Sequence, residues 1–214
     1  RLAAKDRATA KSVDLSSLPE EELVEKLRSP NRTIRQLALR VLGDRKNVEL
    51  PPVLIGKLEA AEGQLALEYL WAINTSGGFD HAAALVALSH DDPHVRAWAI
   101  RLACDDPDFT DGDSGAPLLN RFYEMARRET NIEVRTQLAC SARRLPAEAC
   151  LQIVRLMVVR DSDGDDVFQP LLLWWAMESK CEEHAALIFK MMDEHNLWNQ
   201  PLVHEHLTHR LMRR

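Results

Sequence analysis

Residues 90–102 read HDDPHVRAWAIRL, and this stretch decides how the rest of the chain is interpreted. Two aspartates and a proline precede a β-branched residue, an arginine and an apolar run that is rich in small side chains. An amphipathic helix places apolar residues at positions i, i+3, i+4 and i+7 on one stripe. Here those residues are Val95, Trp98, Ala99 and Leu102. The stretch therefore predicts an amphipathic helix that begins near Pro93.

Two other parts of the chain repeat this order of features. They are SPNRTIRQLALRVL at 29–42 and TNIEVRTQLACSA at 130–142. The first has a complete apolar stripe, whereas the second has Gln137 where the other copies have leucine or tryptophan. A single helix pair cannot bury such a stripe, but stacked pairs share a continuous core. The recurrence therefore predicts an array in which each unit packs the same face against the next.

The remaining sequence also has a helical period, with few glycines and no alternation of β-branched residues. It predicts an all-α fold, an α-α superhelix (solenoid) of about six helix pairs at spacings of roughly 30 to 40 residues. We assign residues 14–214 to this repeat domain and residues 1–13 to a linker from a preceding domain. The first helices are predicted at 18–29, 51–63, 80–90, 116–128 and 146–159. The second helices are predicted at 31–43, 63–75, 93–104, 131–144, 166–179 and 200–212.

Polar residues around these segments predict where helices begin and how neighbouring units meet. Asp80, and either Asp91 or Asp92, are candidate N-caps, and prolines 51, 117 and 146 lie near predicted helix starts. Arg96 follows the apolar anchor of its copy, and Arg35 and Arg135 hold the matching positions. We expect a ladder of Arg35, Asp92, Arg96 and Arg135 that fixes the stacking angle. The alternative is that these charges are solvated, since exposed ion pairs stabilise little.

The DDPHVRAWAIRL stretch and its echoes resemble the HEAT-repeat family. More narrowly, LSSLPEEELVEKLRSPNRTIRQLALRVL, LEYLWAI, ALSHDDPHVRAWAIRL and PLLLWWAME look like the helical segment of large exported proteins of planctomycetes and their relatives. In those proteins a sugar-dehydrogenase-like β-propeller usually precedes the segment, and a c-type cytochrome domain often follows. The resemblance implies a periplasmic or exported location and a connecting or recruiting role. It places no redox residue in this chain.

Four tryptophans form the predicted interaction surface: Trp71, Trp98, Trp174 and Trp175. In HEAT arrays the second helices line the concave face, and exposed aromatic residues there would form a groove for a partner. The structural alternative is core packing, and adjacent tryptophans often divide between the core and the surface. We expect a non-enzymatic domain that holds a protein partner or an adjacent domain of the same polypeptide.

Three motifs suggest chemistry, and each is incomplete. GDSGAP at 112–117 resembles a serine-protease nucleophile loop, but Ser114 lacks the all-β setting that this chemistry uses. DSDGDD at 161–166 resembles a calcium loop, but Asp166 stands at the position of its glycine. HEHLTH at 204–209 departs from the HExxH zinc pattern. The four cysteines form no CxxC pair and are interpreted as buried thiols. The sequence therefore predicts no catalytic residue, cofactor or metal site.

Charge and hydropathy exclude further classes. The chain of 214 residues has a formal net charge of −6, and residues 1–50 carry 11 Lys+Arg against 8 Asp+Glu. This balance disfavours nucleic-acid binding, which needs a concentrated basic surface. No apolar run approaches the length of a membrane span, so no membrane insertion is expected. Two alternatives with HEAT-like folds are DNA alkylation-repair glycosylases, which need a basic groove, and chromophore lyases.

Overall fold

The computed structural model describes residues 13–110, 112–160 and 163–214, so nearly all of the predicted linker lies outside the described residues. Within these ranges the regular secondary structure is entirely helical and contains no strand. The predicted all-α class is therefore confirmed. The absence of strands in the described chain also removes the double β-barrel that a chymotrypsin-like site at Ser114 would need.

Twelve α-helices lie in the described part of the chain. They are α1 Glu20–Lys26, α2 Arg32–Arg45, α3 Leu50–Glu59, α4 Gly63–Thr75, α5 His81–Leu88, α6 Pro93–Ala103, α7 Gly112–Arg128, α8 Ile132–Ala142, α9 Ala147–Val158, α10 Gln169–Glu178, α11 Cys181–Glu194 and α12 Thr208–Leu211. Short 3-10 turns occupy Pro107–Thr110 and Leu197–Asn199, and a π-helical turn occupies Val203–Leu207. Helix α11 is an addition to the segments predicted above.

Contacts between the helices form two series. The even-numbered helices α2, α4, α6, α8 and α10 touch one another in chain order, and so do the odd-numbered helices α3, α5, α7, α9 and α11. Each odd helix from α1 to α9 also packs against the even helix that follows it. Buried side chains of both series belong to one continuous hydrophobic core.

Local capping explains where several helices begin. The Asp92 carboxylate accepts a hydrogen bond from the His94 amide at 2.8 Å, and Pro93 is the first residue of α6. Asn31 caps α2 and Asn131 caps α8 in the same way. Helix α5 begins after Asp80, whose side chain accepts from Ala83 N–H. Because a cap satisfies amides that have no partner within the helix, these starts follow from local sequence.

The predicted start of α7 is wrong. The helix begins at Gly112 rather than at residue 116, so Pro117 lies inside it. Gly112 has a φ of 61°, a left-handed conformation that glycine adopts without steric cost and that turns the chain out of the preceding 3-10 turn. Gly115 then passes against the backbone of Thr110, where a side chain would not fit. The helix therefore includes all of the GDSGAP segment at 112–117.

The buried face of α6 is rotated from the predicted stripe. Val95 and Ala99 are fully buried, but Trp98 and Leu102 are only half-buried. Ile100 is fully buried and so completes the face. The rotation follows from the fact that α6 packs against α4, α5 and α8 at once. A helix with three neighbours buries a wider arc than one stripe.

Candidate interaction surface and the polar contacts between helices

Arg96 joins two parts of the chain through a two-pronged ion pair. Its Nε and Nη2 atoms each lie 2.9 Å from a carboxylate oxygen of Glu129, in the turn before α8. Its Nη1 atom donates to the carbonyl oxygens of His90 and Asp91 at 2.9 and 2.8 Å. The side chains are 15% and 8% exposed, so this pair is largely shielded from solvent. Two parallel hydrogen bonds of this kind fix the orientation of the guanidinium against the carboxylate and also strengthen the ion pair.

The two matching arginines also reach acids further along the chain. Arg35 Nε lies 2.7 Å from Glu68 Oε1 on α4, and Arg35 Nη1 donates to the carbonyl oxygen of Ser29 at 2.9 Å. Arg135 is buried and pairs with the buried carboxylate of Asp163. All three arginines stand four residues after the residue that caps their helix. Each arginine therefore occupies the equivalent position in its helix, and each pairs with a different acidic residue.

Asp92 plays another part than the ladder residue predicted from sequence. Its carboxylate caps α6, and its backbone N–H donates to His90 Nδ1 at 3.0 Å. The acid that faces Arg96 across the helix interface is Glu129. The cap residue orders the turn, and the arginine that follows it makes the long-range contact.

The ion pairs shift the ionisation of their members. Burial opposes ionisation of Glu129, but hydrogen bonds from Arg96 and from the amides of Asn131 and Thr130, with the charge of Arg96, hold its pKa below the ordinary 4.5. Burial lowers the pKa of Arg135, and the nearby charge of Arg160 lowers it further. Glu129 is therefore stabilised as a carboxylate in the folded protein.

A second set of contacts links cationic or imidazole side chains to carbonyl groups at helix ends. His90 Nε2 lies 3.1 Å from the carbonyl oxygens of both Leu58 and Ala61. Because His90 Nδ1 accepts the Asp92 amide, Nε2 carries the proton and donates it. In the same way Arg121 donates to the Leu88 carbonyl and Arg160 to the Arg127 carbonyl, both at 3.0 Å. Helix C-termini leave carbonyls without a helical partner, and these side chains supply donors to them. The Leu58 carbonyl also accepts from the Ala61 amide.

These partners were missed by the sequence interpretation, although a signal for them exists. Arg35 and Glu68 are 33 residues apart, and so are Arg96 and Glu129. Arg121 and the Leu88 carbonyl have the same separation. A search for opposite charges at a common separation of 33 residues would have found the first two pairs, whereas a carbonyl acceptor leaves no mark in a sequence.

Two of the four candidate tryptophans contact each other. The rings of Trp71 on α4 and Trp98 on α6 are 5.3 Å apart, with an interplanar angle of 80°. The guanidinium of Arg101 lies 5.1 Å from the Trp98 ring. Both tryptophans are half-buried. Edge-to-face packing and the cation above the ring hold this pair in place and leave part of each ring at the surface.

The other two tryptophans divide between core and surface. Trp174 is buried among the core residues, so it is removed from the candidate surface. Trp175 is 44% exposed, and Phe189 on α11 is 43% exposed. Both rings line a groove of about 890 Å³ that also contains Arg143 and Arg214. Successive residues of a helix point about 100° apart, which separates Trp174 from Trp175.

Residues of two of the three chemical motifs have structural roles. Ser114 lies exposed in the first turn of α7, and His81 Nε2 contacts the Phe109 carbonyl oxygen at 2.8 Å. Asp163 of the calcium-like loop pairs with Arg135, whereas Asp161 lies outside the described residues. Across the residues that the structure covers, no three histidine, cysteine or acidic side chains gather as metal ligands do.

None of the helices described is both long and apolar enough to cross a bilayer.

The cysteines differ in their surroundings. Cys104 and Cys150 are buried, and burial raises the pKa of each thiol to about 12. Cys181 is half-buried with a raised pKa, again through burial, and Cys140 is exposed. The interpretation of the cysteines as buried thiols is therefore confirmed for Cys104 and Cys150 and is wrong for Cys140.

Comparison with known proteins adds no relative: no family model matches the chain, and no curated protein or solved structure gives a significant match. The resemblance to HEAT repeats thus stays a prediction, and the site is argued from the geometry above.

Proposed function

We propose that this chain is a non-enzymatic α-solenoid of about six HEAT-like helix pairs that holds a protein partner or an adjacent domain. The observation that carries the proposal is the pair of helix series, in which successive even helices from α2 to α10 and successive odd helices from α3 to α11 contact each other. Such contacts between neighbours are the basis of stability in helical-repeat proteins. The arginine pairs at equivalent helix positions, all largely shielded from solvent, support a repeated unit.

The even-numbered helices form the proposed binding face. They carry Trp71 and Trp98, which are half-buried, and Trp175, which is exposed. Tryptophan and arginine are enriched among the residues that dominate protein interfaces. Arg101 lies over the Trp98 ring, and Arg143 lines the same groove as Trp175, so the face offers both kinds of contact. A protein surface with aromatic anchors and cationic neighbours is the occupant that fits.

Site-specific photo-crosslinking tests this proposal. A photo-reactive phenylalanine analogue placed at Trp175 in the full chain should capture one protein from extracts of the source organism, identified by mass spectrometry. The same analogue at the exposed Glu148 of α9, in the odd-numbered series, should not capture it. With the purified partner, Trp175→Ala should weaken binding about tenfold or more. Equal capture at both positions, or none at either, would contradict the proposed face.

We further propose that the domain belongs to a larger exported redox-associated protein, as the resemblance implies. The residues that flank the domain in the complete gene product test this placement. A β-propeller before it and a CxxCH haem-attachment motif after it are expected. A gene that encodes neither would contradict the placement without affecting the proposed binding face.

A further inference from the structure

The odd-numbered helix series has a gap at its first step. Helices α3, α5, α7, α9 and α11 each pack against the next, whereas α1 and α3 lack contacts of that extent. Helix α1 is held mainly by α2. Between α1 and α3 lies a groove of about 400 Å³. The site thus lies at the one step of the described odd-numbered series, from α1 to α11, where successive helices lack extensive contact.

The floor of this groove is aliphatic. Val24 of α1 and Leu50 of α3 are buried beneath it, and Val53 of α3 lines it while 56% exposed. An exposed valine on a helix next to an open groove offers apolar area that a ligand side chain can cover.

The rim of the groove is acidic. Glu20, Glu21, Glu25 and Glu49 line it, against one cation, Lys57. Asn47 donates to one oxygen of Glu20 at 2.6 Å, and Glu25 pairs at 3.4 Å with Arg28, with both side chains exposed. Lys57 and Arg28 oppose two of the four carboxylates, so the groove keeps a net negative charge. The groove therefore attracts a cationic ligand.

Helix capping accounts for only part of this charge. Glu20 and Glu21 lie in the first turn of α1, where the helix dipole favours acids. Glu25 lies in the last turn, where the dipole disfavours an acid. It nevertheless lines the groove with Val24 and Val53. The position of Glu25 is therefore explained by the groove that it lines and not by the dipole of its own helix.

We propose that this groove binds a basic amphipathic helical segment of a protein partner. One aliphatic side chain of the segment covers Val53, and lysines or arginines three and four residues to either side face Glu21, Glu25 and Glu49. This arrangement matches the apolar floor and the acidic rim together. The inference rests on the proposed interaction function, and it names the partner chemistry and a second contact surface.

Fluorescence anisotropy with the full chain tests the proposal. The probe is a fluorescein-labelled, alanine-based helical peptide with one leucine and lysines three and four residues on both sides. The triple variant Glu21→Gln, Glu25→Gln, Glu49→Gln should weaken its binding at least about tenfold. The control variant Glu59→Gln, Glu62→Gln, Asp91→Asn removes equal charge from another acidic groove and should change binding less than about threefold. Circular dichroism verifies that both variants remain helical.

The apolar contact needs a separate measurement. Val53→Ser should weaken binding of the leucine-containing peptide. It should not change binding of a control peptide that has serine in place of the leucine. Equal weakening by the two triple variants, or equal affinity of the two peptides for the unmodified chain, would overturn the proposal, because attraction would then be non-specific. Tighter binding after neutralisation of Lys5, Arg7 and Lys11 would also overturn it, because the chain's own start would then be the occupant.

The outcome is independent of the test at Trp175. If the peptide fails to bind while the Trp175 crosslink still captures a partner, the groove inference fails and the proposed function stands. If the peptide binds at the groove and no partner is captured at Trp175, the proposed binding face on the even-numbered helices is contradicted and the groove inference stands.

Discussion

At the residue scale, the arginine four residues after the cap of α2, α6 and α8 joins parts of the chain that are distant in sequence. Arg96 satisfies the carbonyls of its own turn with Nη1 and a carboxylate 33 residues away with Nε and Nη2. A guanidinium suits this role because its donors point in fixed, different directions. Lysine could not make both contacts with one rigid group. The same reasoning applies to Arg35 with Ser29 and Glu68.

The Arg96–Glu129 pair leads to a pH-dependent prediction. Glu129→Gln should lower the free energy of unfolding by about 1–3 kcal/mol at pH 7, because a largely buried guanidinium loses its anionic partner. The folded pKa of Glu129 lies below 4.5, so unfolded chains bind more protons and this contribution is complete above about pH 4.5. It is lost as the pH falls through the folded pKa, and the difference between variant and unmodified chain should shrink there.

Urea unfolding followed by circular dichroism between pH 3 and pH 7 measures this difference. Glu124→Gln is the control, because its pair with Arg121 is more exposed. Glu124→Gln should lower the free energy of unfolding by less than about 1 kcal/mol. A destabilisation by Glu129→Gln that is constant over the whole pH range would show that charge is not its cause.

At the element scale, the start of α7 depends on a close backbone approach. A Cβ atom on Gly115 would lie 2.3 Å from the carbonyl carbon of Thr110, which belongs to the preceding 3-10 turn. Only glycine permits this distance, since backbone atoms cannot move aside as a flexible side chain can. The turn and the helix are thereby packed as one unit, and this contact explains why α7 begins before Pro117.

Two glycine substitutions test this explanation. Gly115→Ala should lower the free energy of unfolding by about 1–3 kcal/mol through overpacking. Gly56→Ala in α3 is the matched control, because a Cβ there meets nothing within 4 Å and the residue is exposed in a helix. It should raise stability by about 0.5–1 kcal/mol through helix propensity. Thermal and urea unfolding measure both, and a neutral Gly115→Ala would refute the close-packing argument.

At the scale of the whole molecule, the contacts run mainly between neighbours in the two helix series. His90 is one of the joints, since it binds the end of α3 through Leu58 and the following turn through Ala61. In an array stabilised by neighbours, a local defect weakens adjacent units more than distant ones. The proposed solenoid therefore predicts that a substitution at one contact between helices destabilises the neighbouring helices and leaves distant helices unchanged.

Hydrogen exchange of the His90→Ala variant checks this behaviour. Loss of the imidazole leaves the Ala61 carbonyl and the Asp92 amide without their partner and removes one of two donors to the Leu58 carbonyl. Amides of α3 to α6 should therefore exchange about tenfold faster or more. Amides of α10 and α11 should keep their rates. His94→Ala is the control, because its contact with Glu133 is exposed. Uniformly faster exchange along the chain would instead indicate one cooperative unit.

The sequence by itself determined the helical class, most helix positions and the cap at Asp80, and it restricted the cap of α6 to Asp91 or Asp92. These features depend on residues within about four positions of one another, and such local chemistry is visible in a sequence. Tertiary structure alone decided that Arg96 meets Glu129, that Trp174 is buried while Trp175 is exposed, and that α1 stands apart from α3. These outcomes depend on how distant helices rotate and pack to fill a shared core, which no local pattern specifies.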